Sequence, residues 1–444
     1  MHFGVINYPK EAKPYMKIKY KQLRPYLLLW STQSFSALGS SMTSYALVLW
    51  LYIHSGSALK TAMLSVCSYA PYVIMSIFAG ALSDKWNKKY TMLVCDLMAA
   101  VTTVVIFILV KTGSLCEWHL YLLNAINGLM NTVQQPASEV AATLLIPKEY
   151  YQKTSGLRSF SQSLNTILVP VLATVLFSFA GIWIVIVFDL VTFIIAFMAL
   201  SLFIHIPEGR SGNQEGETIL KSAGEGIKWL KQNTLVLNLI MFLACINFVA
   251  SAYDAVLPAM LLPKYNGDGM VLGMVNTCAG IAALAGSVFV TVMPAPGNRV
   301  KAICIALIIS MSTENFLLAF GRTPVVWCIG AVAGWLPIPF MNANMDVVFR
   351  STIPPDMQGR VYSCRNTFQF FTIPAGFLAG GFLTDNVFVP LMERQPGEGV
   401  LSLFFGTGKG AGAAMLFSFL GVAGTAVCIT FSLVLRKYKW YSTE

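Results

Sequence analysis

The chain has 444 residues, of which 56 % are hydrophobic and only 11 % charged, with a formal net charge of +10. Soluble domains carry about 25 % charged residues, so a water-facing surface cannot be built from this composition, and the same numbers exclude a disordered chain. Most of the outside must meet lipid.

A membrane-crossing helix needs about 20 mostly apolar residues. Twelve such stretches follow one another, at roughly 24–53, 58–83, 90–111, 119–146, 151–180, 182–205, 235–262, 270–293, 299–320, 325–353, 358–386 and 410–435. They predict an all-α membrane protein. The short alternating segments of an outer-membrane barrel are absent from the pattern. The first 24 residues are polar and basic rather than a cleavable leader.

Basic residues in short loops mark the cytoplasmic side. With both termini inside, that side collects 24 of the 30 Lys and Arg residues, leaving Lys60, Lys111, Lys264, Arg322, Arg394 and Lys409 outside. Both termini are therefore expected in the cytoplasm. The positive charge reads as a topology signal and an attraction to anionic lipid, with no nucleic-acid partner implied. The nine Cys residues are scattered, with no Cys-x-x-Cys or His/Cys cluster, so neither a disulfide framework nor a metal site is expected.

The longest polar break, 207–234, opens with Pro207-Glu208-Gly209 and contains an amphipathic stretch. Ile219, Leu220, Ala223, Ile227 and Leu230 share one face there, as in a helix lying on a membrane surface. The break divides the chain into an N-terminal half, 1–206, and a C-terminal half, 235–444. Shifting the sequence by 207 residues sets Glu139 on Asp346, Ile146-Pro147 on Ile353-Pro354, Arg158 on Arg365 and Gln162 on Gln369. Two six-span halves repeated in parallel are the transporter arrangement of the major facilitator type, with substrate bound between them near mid-membrane.

The loop after the second span reads Gly80-Ala-Leu82-Ser-Asp84-Lys85-Trp-Asn87-Lys88-Lys89. It resembles the signature loop of the major facilitator superfamily, a tight cytoplasmic turn that latches one half to the other. Asn87 replaces the usual Gly but tolerates a left-handed backbone. Asp84 is suited to meet a helix N-terminus, where negative charge is favoured. The resemblance implies a cytoplasmic gate formed by Gly80, Asp84, Lys85, Lys88 and Lys89, with Arg158 and Arg365 nearby. The opening Trp30-Ser-Thr-Gln33-Ser-Phe-Ser36-Ala-Leu-Gly39-Ser40, the sixth-span Phe188-Asp189-Leu-Val-Thr192-Phe193, and Gly359-Arg360-Val361 are similar to the macrolide-efflux branch. So is Asp385-x-x-Phe388-x-Pro390-x-Met392 before the glycines of 406–412. That branch implies export by proton antiport, although the exporters' fifth-span pattern is only half present, as Gly156 and Pro170.

Acids inside spans are costly and mark function. Six qualify: Asp96, Glu139, Asp189, Asp254, Glu314 and Asp346. In the resembling fold spans one, four, seven and ten line the cavity, which leaves Asp96, Asp189 and Glu314 to helix–helix hydrogen bonds. Glu139 and Asp346, near basic loops, are read as gate ion pairs and as secondary candidates for proton coupling. Asp254 is the first candidate to carry a proton or meet a cationic substrate, its nearest basic residue in sequence being Lys264. The expected cavity lining is Gln33, Ser36, Tyr45, Asn127, Met130, Asn131, Asn247, Tyr253, Trp335, Asn342 and Asn344. Soft and aromatic side chains among a few polar ones suit amphipathic molecules.

No histidine lies deep in a span, which leaves no Ser-His-Asp arrangement and no enzyme chemistry. The glycines of 406–412 lack the strand and Gly-Lys-Ser/Thr of a phosphate loop, so no cofactor is expected. The expected function is a monomeric secondary transporter in a bacterial cytoplasmic membrane. It would export hydrophobic or cationic drug-like compounds in exchange for protons. The alternatives are an exporter or flippase of an endogenous amphiphile such as a siderophore or lysolipid, and a transport-inactive sensor or scaffold.

Overall fold

The computed structural model describes residues 12–147, 150–207, 219–354, 357–395 and 399–438. Every regular element among them is helical. The N-terminal half holds α1 (Ala12–Ser55), α2 (Ala58–Lys85), α3 (Lys88–Lys111), α4 (Glu117–Leu145), α5 (Tyr151–Ala180) and α6 (Ile182–Met198), the last prolonged by a wide turn over Ala199–Phe203. A surface helix, α7 (Ile219–Gln232), leads to α8 (Thr234–Leu261), α9 (Met270–Val292) and α10 (Arg299–Phe320). Then come α11 (Pro324–Trp335), α12 (Ile338–Thr352), α13 (Gln358–Phe370) and α14 (Thr372–Leu383), followed by a second wide turn, Thr384–Phe388. Two short pieces, α15 (Val389–Glu393) and α16 (Val400–Phe405), precede α17 (Lys409–Leu435).

Two expected spans are broken in the middle. The tenth is α11 plus α12, and the eleventh is α13 plus α14. Each first segment ends four residues before a proline: Trp335 before Pro339, Phe370 before Pro374. A proline ring clashes with the carbonyl four residues back and removes an N–H from the ladder. Pro25, Pro71, Pro136, Pro170 and Pro258 are carried inside continuous helices, so the neighbours decide whether a proline interrupts. At the second break they supply replacement bonds. The Asn247 amide donates to the Gln369 carbonyl at 3.1 Å, and the Thr372 hydroxyl to those of Ala244 and Gln369 at 2.8 and 3.1 Å.

Among the described residues eleven helical segments are long and apolar enough to cross a membrane, against the twelve expected. The difference is α4. Its 29 residues would reach about 43 Å, but they include Asn124, Asn127, Asn131, Gln134, Gln135, Ser138 and Glu139.

Asn87 also differs from expectation. Its backbone is extended, at φ −64° and ψ 120°, and its side chain caps α3 by accepting from the Lys89 and Tyr90 amides at 3.0 and 3.3 Å. The residue is an N-cap, not a left-handed turn. The amphipathic stretch of the linker is α7, and it packs on α13. A Cβ at Gly226 would stand 2.9 Å from the Arg360 carbonyl oxygen, so glycine sets how closely the two approach. Arg360 pairs with Glu225 across the same contact.

The halves meet along two helix pairs, α2 with α14 and α5 with α9, and more lightly through α8 against α1 and α2. Ala62, Ala255 and Phe377 form an apolar cluster at the first pair. The exterior is apolar: Phe179, Phe203 and Val292 are at least 73 % exposed.

Candidate functional site

Polar residues recur along α4 at helical spacing, Asn124, Asn127, Asn131, Gln134 and Ser138, and along α1, Gln33, Ser36, Ser40 and Ser44. Steps of three and four place each set on one face. Both faces line a cavity of about 540 Å³, within the range of small-molecule sites. α3 adds Asp96 and Thr103, α5 adds Arg158, Ser161, Gln162 and Asn165, and α6 adds Asp189 and Phe193. Every lining residue belongs to the N-terminal half.

Two buried carboxylates anchor this wall. Asp96 accepts from the Gln33 amide at 3.1 Å and from the Gln134 amide, joining α1, α3 and α4. Asp189 accepts from the Ser40 hydroxyl at 2.9 Å, joining α6 to α1. The helices come close there because residue 39 is glycine: a Cβ would stand 2.5 Å from the Thr192 hydroxyl. Among the described residues neither acid forms an ion pair. Their hydrogen-bonding partners are neutral donors, and Arg158, the cationic side chain of the lining, is paired with Glu139 instead. The third acid, Glu139, is held by Arg158 at 2.7 Å, with both side chains about half exposed.

Of the lining expected from sequence, Gln33, Ser36, Asn127 and Asn131 line the cavity. The expected division of spans fails for Asp96 and Asp189. Both make helix–helix hydrogen bonds, and both also line the cavity. Gln134, Gln135, Gln162 and Asn165 were not anticipated, although the polar stripe of α4 signals the first two.

The remaining candidates are used elsewhere. Met130 is half-buried on α4 outside the lining. Tyr45 accepts from the Asn276 amide of α9 at 3.2 Å and so bridges the halves. Asn247 serves the break after α13. Tyr253 is buried edge-on against Phe417, and it and Trp335 approach the buried Glu314. Asn344 is buried, accepting from Arg299 at 2.9 Å and donating to the Phe340 carbonyl. Asn342 is exposed on α12.

Asp254 is accessible to solvent yet largely surrounded by protein, in electrostatic reach of Tyr69 on α2 across the half boundary. Asp346 is exposed and acts on Arg365 through space. The expected direct pair is absent among the described residues: the Arg365 guanidinium lies over the Phe349 ring at 4.9 Å and its Nε donates to Gln369 at 3.2 Å.

The signature loop divides. Gly80, Asp84 and Lys85 close α2, and their side chains lie outside the described residues. Lys88 donates to the Trp86 carbonyl at 3.0 Å. Lys89 donates to the carbonyls of Ser201 and Ile204 at 2.9 and 2.8 Å. A cation there closes a helix C-terminus, so Lys89 fastens α6 within its own half rather than latching the two halves.

A family model described as Major Facilitator Superfamily matches residues 29–377. Macrolide efflux protein A of Streptococcus pyogenes is 23 % identical over 366 residues, covering 82 % of this chain and 90 % of that protein. The multidrug efflux pump Tap of Mycolicibacterium fortuitum is 21 % identical over 379 residues, covering 81 % and 89 %. Among solved structures, a bacterial homologue of the human lysosomal transporter Spinster superposes with a TM-score of 0.69 at 14 % identity, over 95 % of this chain and 99 % of that one. The nucleoside transporter NupG gives 0.60 at 14 %, over 94 % and 99 %. With only helices as regular elements and eleven apolar spans among the described residues, and a family match over most of its length, the chain belongs to the Major Facilitator Superfamily of multi-pass membrane transporters.

Proposed function

We propose that this transporter exports hydrophobic or cationic drug-like compounds of the macrolide type across a bacterial cytoplasmic membrane, by alternating access and in exchange for protons. The observation that carries the reading is the cavity of about 540 Å³ in which Asp96 and Asp189 are met only by neutral donors. Such a wall favours a cationic compound with hydrogen-bonding groups over a purely hydrophobic one, because a buried carboxylate gains most from a charge-assisted partner. The names of the macrolide- and multidrug-efflux relatives support the same class.

Asp254 is the proposed proton carrier. It is exposed on α8, in electrostatic reach of Tyr69 on α2 of the other half, and no described cation pairs with it. Glu139 with Arg158, and Asp346 with Arg365, serve the gate at the end nearest the termini. The linker 207–234 divides the moving halves. The basic bias of the loops supports cytoplasmic termini. On that orientation the contacts between halves through Tyr45, Tyr52 and the start of α2 lie at the outer side, and the conformation faces inward.

The test is efflux of a panel of cationic dyes and macrolides from expressing cells, with and without a protonophore, beside Asp254→Asn. Protonophore-sensitive efflux lost in the variant supports proton exchange through Asp254. Efflux that survives in the variant moves coupling to another acid. No efflux of any compound from correctly inserted protein defeats the drug-export reading and favours a narrow endogenous amphiphile.

A further inference from the structure

One carboxylate outside the cavity crosses the boundary between the halves. Asp385 sits in the wide turn after α14 and takes three donors from the other half: the Ser57 hydroxyl at 2.5 Å and the backbone amides of Ala58 and Leu59 at 3.0 and 2.9 Å. Those amides are in the first turn of α2, where N–H groups lack intrahelical partners and the helix dipole favours negative charge. The geometry is that of an N-cap, but the capping residue is 326 to 328 positions away in sequence.

The surroundings fit the same purpose. A Cβ at Gly381 would stand 2.6 Å from the Leu59 Cα, so glycine lets α14 reach the start of α2. The wide turn Thr384–Phe388 carries the acid, and such turns concentrate at functional positions. Two further bonds cross nearby: the Tyr52 hydroxyl donates to the Ala259 carbonyl at 3.3 Å, and the Asn276 amide to the Tyr45 hydroxyl at 3.2 Å. Of these three crossings only Asp385 supplies a charge.

We propose that Asp385 is the positioning residue that holds the face opposite the termini shut, by capping α2 across the half boundary. Releasing this cap is then a required step each time that face opens. The inference rests on the alternating-access reading but is independent of substrate and of proton coupling.

Ser57 gives a second handle. Its hydroxyl oxygen also accepts from the Lys60 amide at 3.1 Å, capping α2 within its own half. Ser57→Asp keeps that local cap and sets a second carboxylate against Asp385.

Hydrogen–deuterium exchange on the purified full-length protein, without substrate, tests the proposal. Asp385→Asn and Ser57→Asp are each expected to speed exchange on the order of tenfold, the size of effect a lost charged cap produces. The acceleration should appear at the start of α2 and also at distant crossings, the end of α8 and the start of α9. Asp385→Glu should restore slow exchange in part. The double variant Ser57→Asp/Asp385→Asn, in which an amide can donate to the new carboxylate, should close the face again. Acceleration confined to residues 57–61, with α8 and α9 unchanged, would reduce Asp385 to a local cap and overturn the proposal. So would an unaltered pattern in Ser57→Asp. Failure of efflux with the exchange pattern as expected would defeat the export reading alone.

Discussion

Asp96 and Asp189 are buried to 9 % and 4 % exposure, and each is satisfied by neutral side chains facing the cavity. Asp96→Asn keeps the shape and removes the charge. A hydrogen bond to a charged group contributes about 1.5–3 kcal/mol, so transport of a cationic substrate should fall on the order of tenfold or more. A neutral analogue should be less affected, and initial rates at several concentrations for the two compounds check this. The Arg158–Glu139 pair is a contrasting case. Both side chains are about half exposed, so a double-mutant cycle on thermal unfolding should return a coupling of about 0–1 kcal/mol. The acids were legible in the sequence because charges are rare inside spans. Their roles were not, because packing decides which face meets the cavity. Asn247 and Asn344 look like cavity amides in sequence, yet one closes a broken helix and the other holds Arg299.

Apolar runs located nearly every helix, and α10 (Arg299–Phe320) and α5 (Tyr151–Ala180) match the expected 299–320 and 151–180. What the runs could not reveal were the interruptions after Trp335 and Phe370. Hydropathy is blind to the backbone clash that a proline imposes, and five other prolines leave their helices whole. The same insensitivity hid the meaning of α4, whose polarity lowers its apolar signal because one face lines the cavity. Packing of α7 on α13 offers a test at this scale. Gly226→Ala sets a methyl 2.9 Å from the Arg360 carbonyl and from the Cys364 sulfur. Overpacking of this kind costs about 1–3 kcal/mol, so the variant should unfold at lower temperature. Exchange should rise in α7 and α13 while α10 stays protected.

Across the boundary expected from the 207-residue shift, the fold pairs α2 with α14 and α5 with α9. The position of the cavity was not readable. Spans seven and ten were expected to share it, but the lining comes from one half, with Asn247, Tyr253, Trp335 and Asn344 used in internal contacts and Asn342 exposed. On the proposed mechanism the acidic wall of the N-terminal half recognises the compound, and the opposing half supplies the proton-carrying Asp254. Substitutions on the two walls should therefore separate. Asp96→Asn should weaken substrate recognition, whereas Asp254→Asn should leave binding and abolish coupling. Equilibrium binding to the two purified variants distinguishes these outcomes.

The most direct test of the central claim is substrate-driven proton movement in proteoliposomes reconstituted with the wild type, Asp96→Asn and Asp254→Asn. The account predicts proton movement on addition of a cationic macrolide to the wild type, sharply reduced in Asp96→Asn at low substrate and absent in Asp254→Asn. Undiminished, substrate-dependent proton movement in both variants would contradict it.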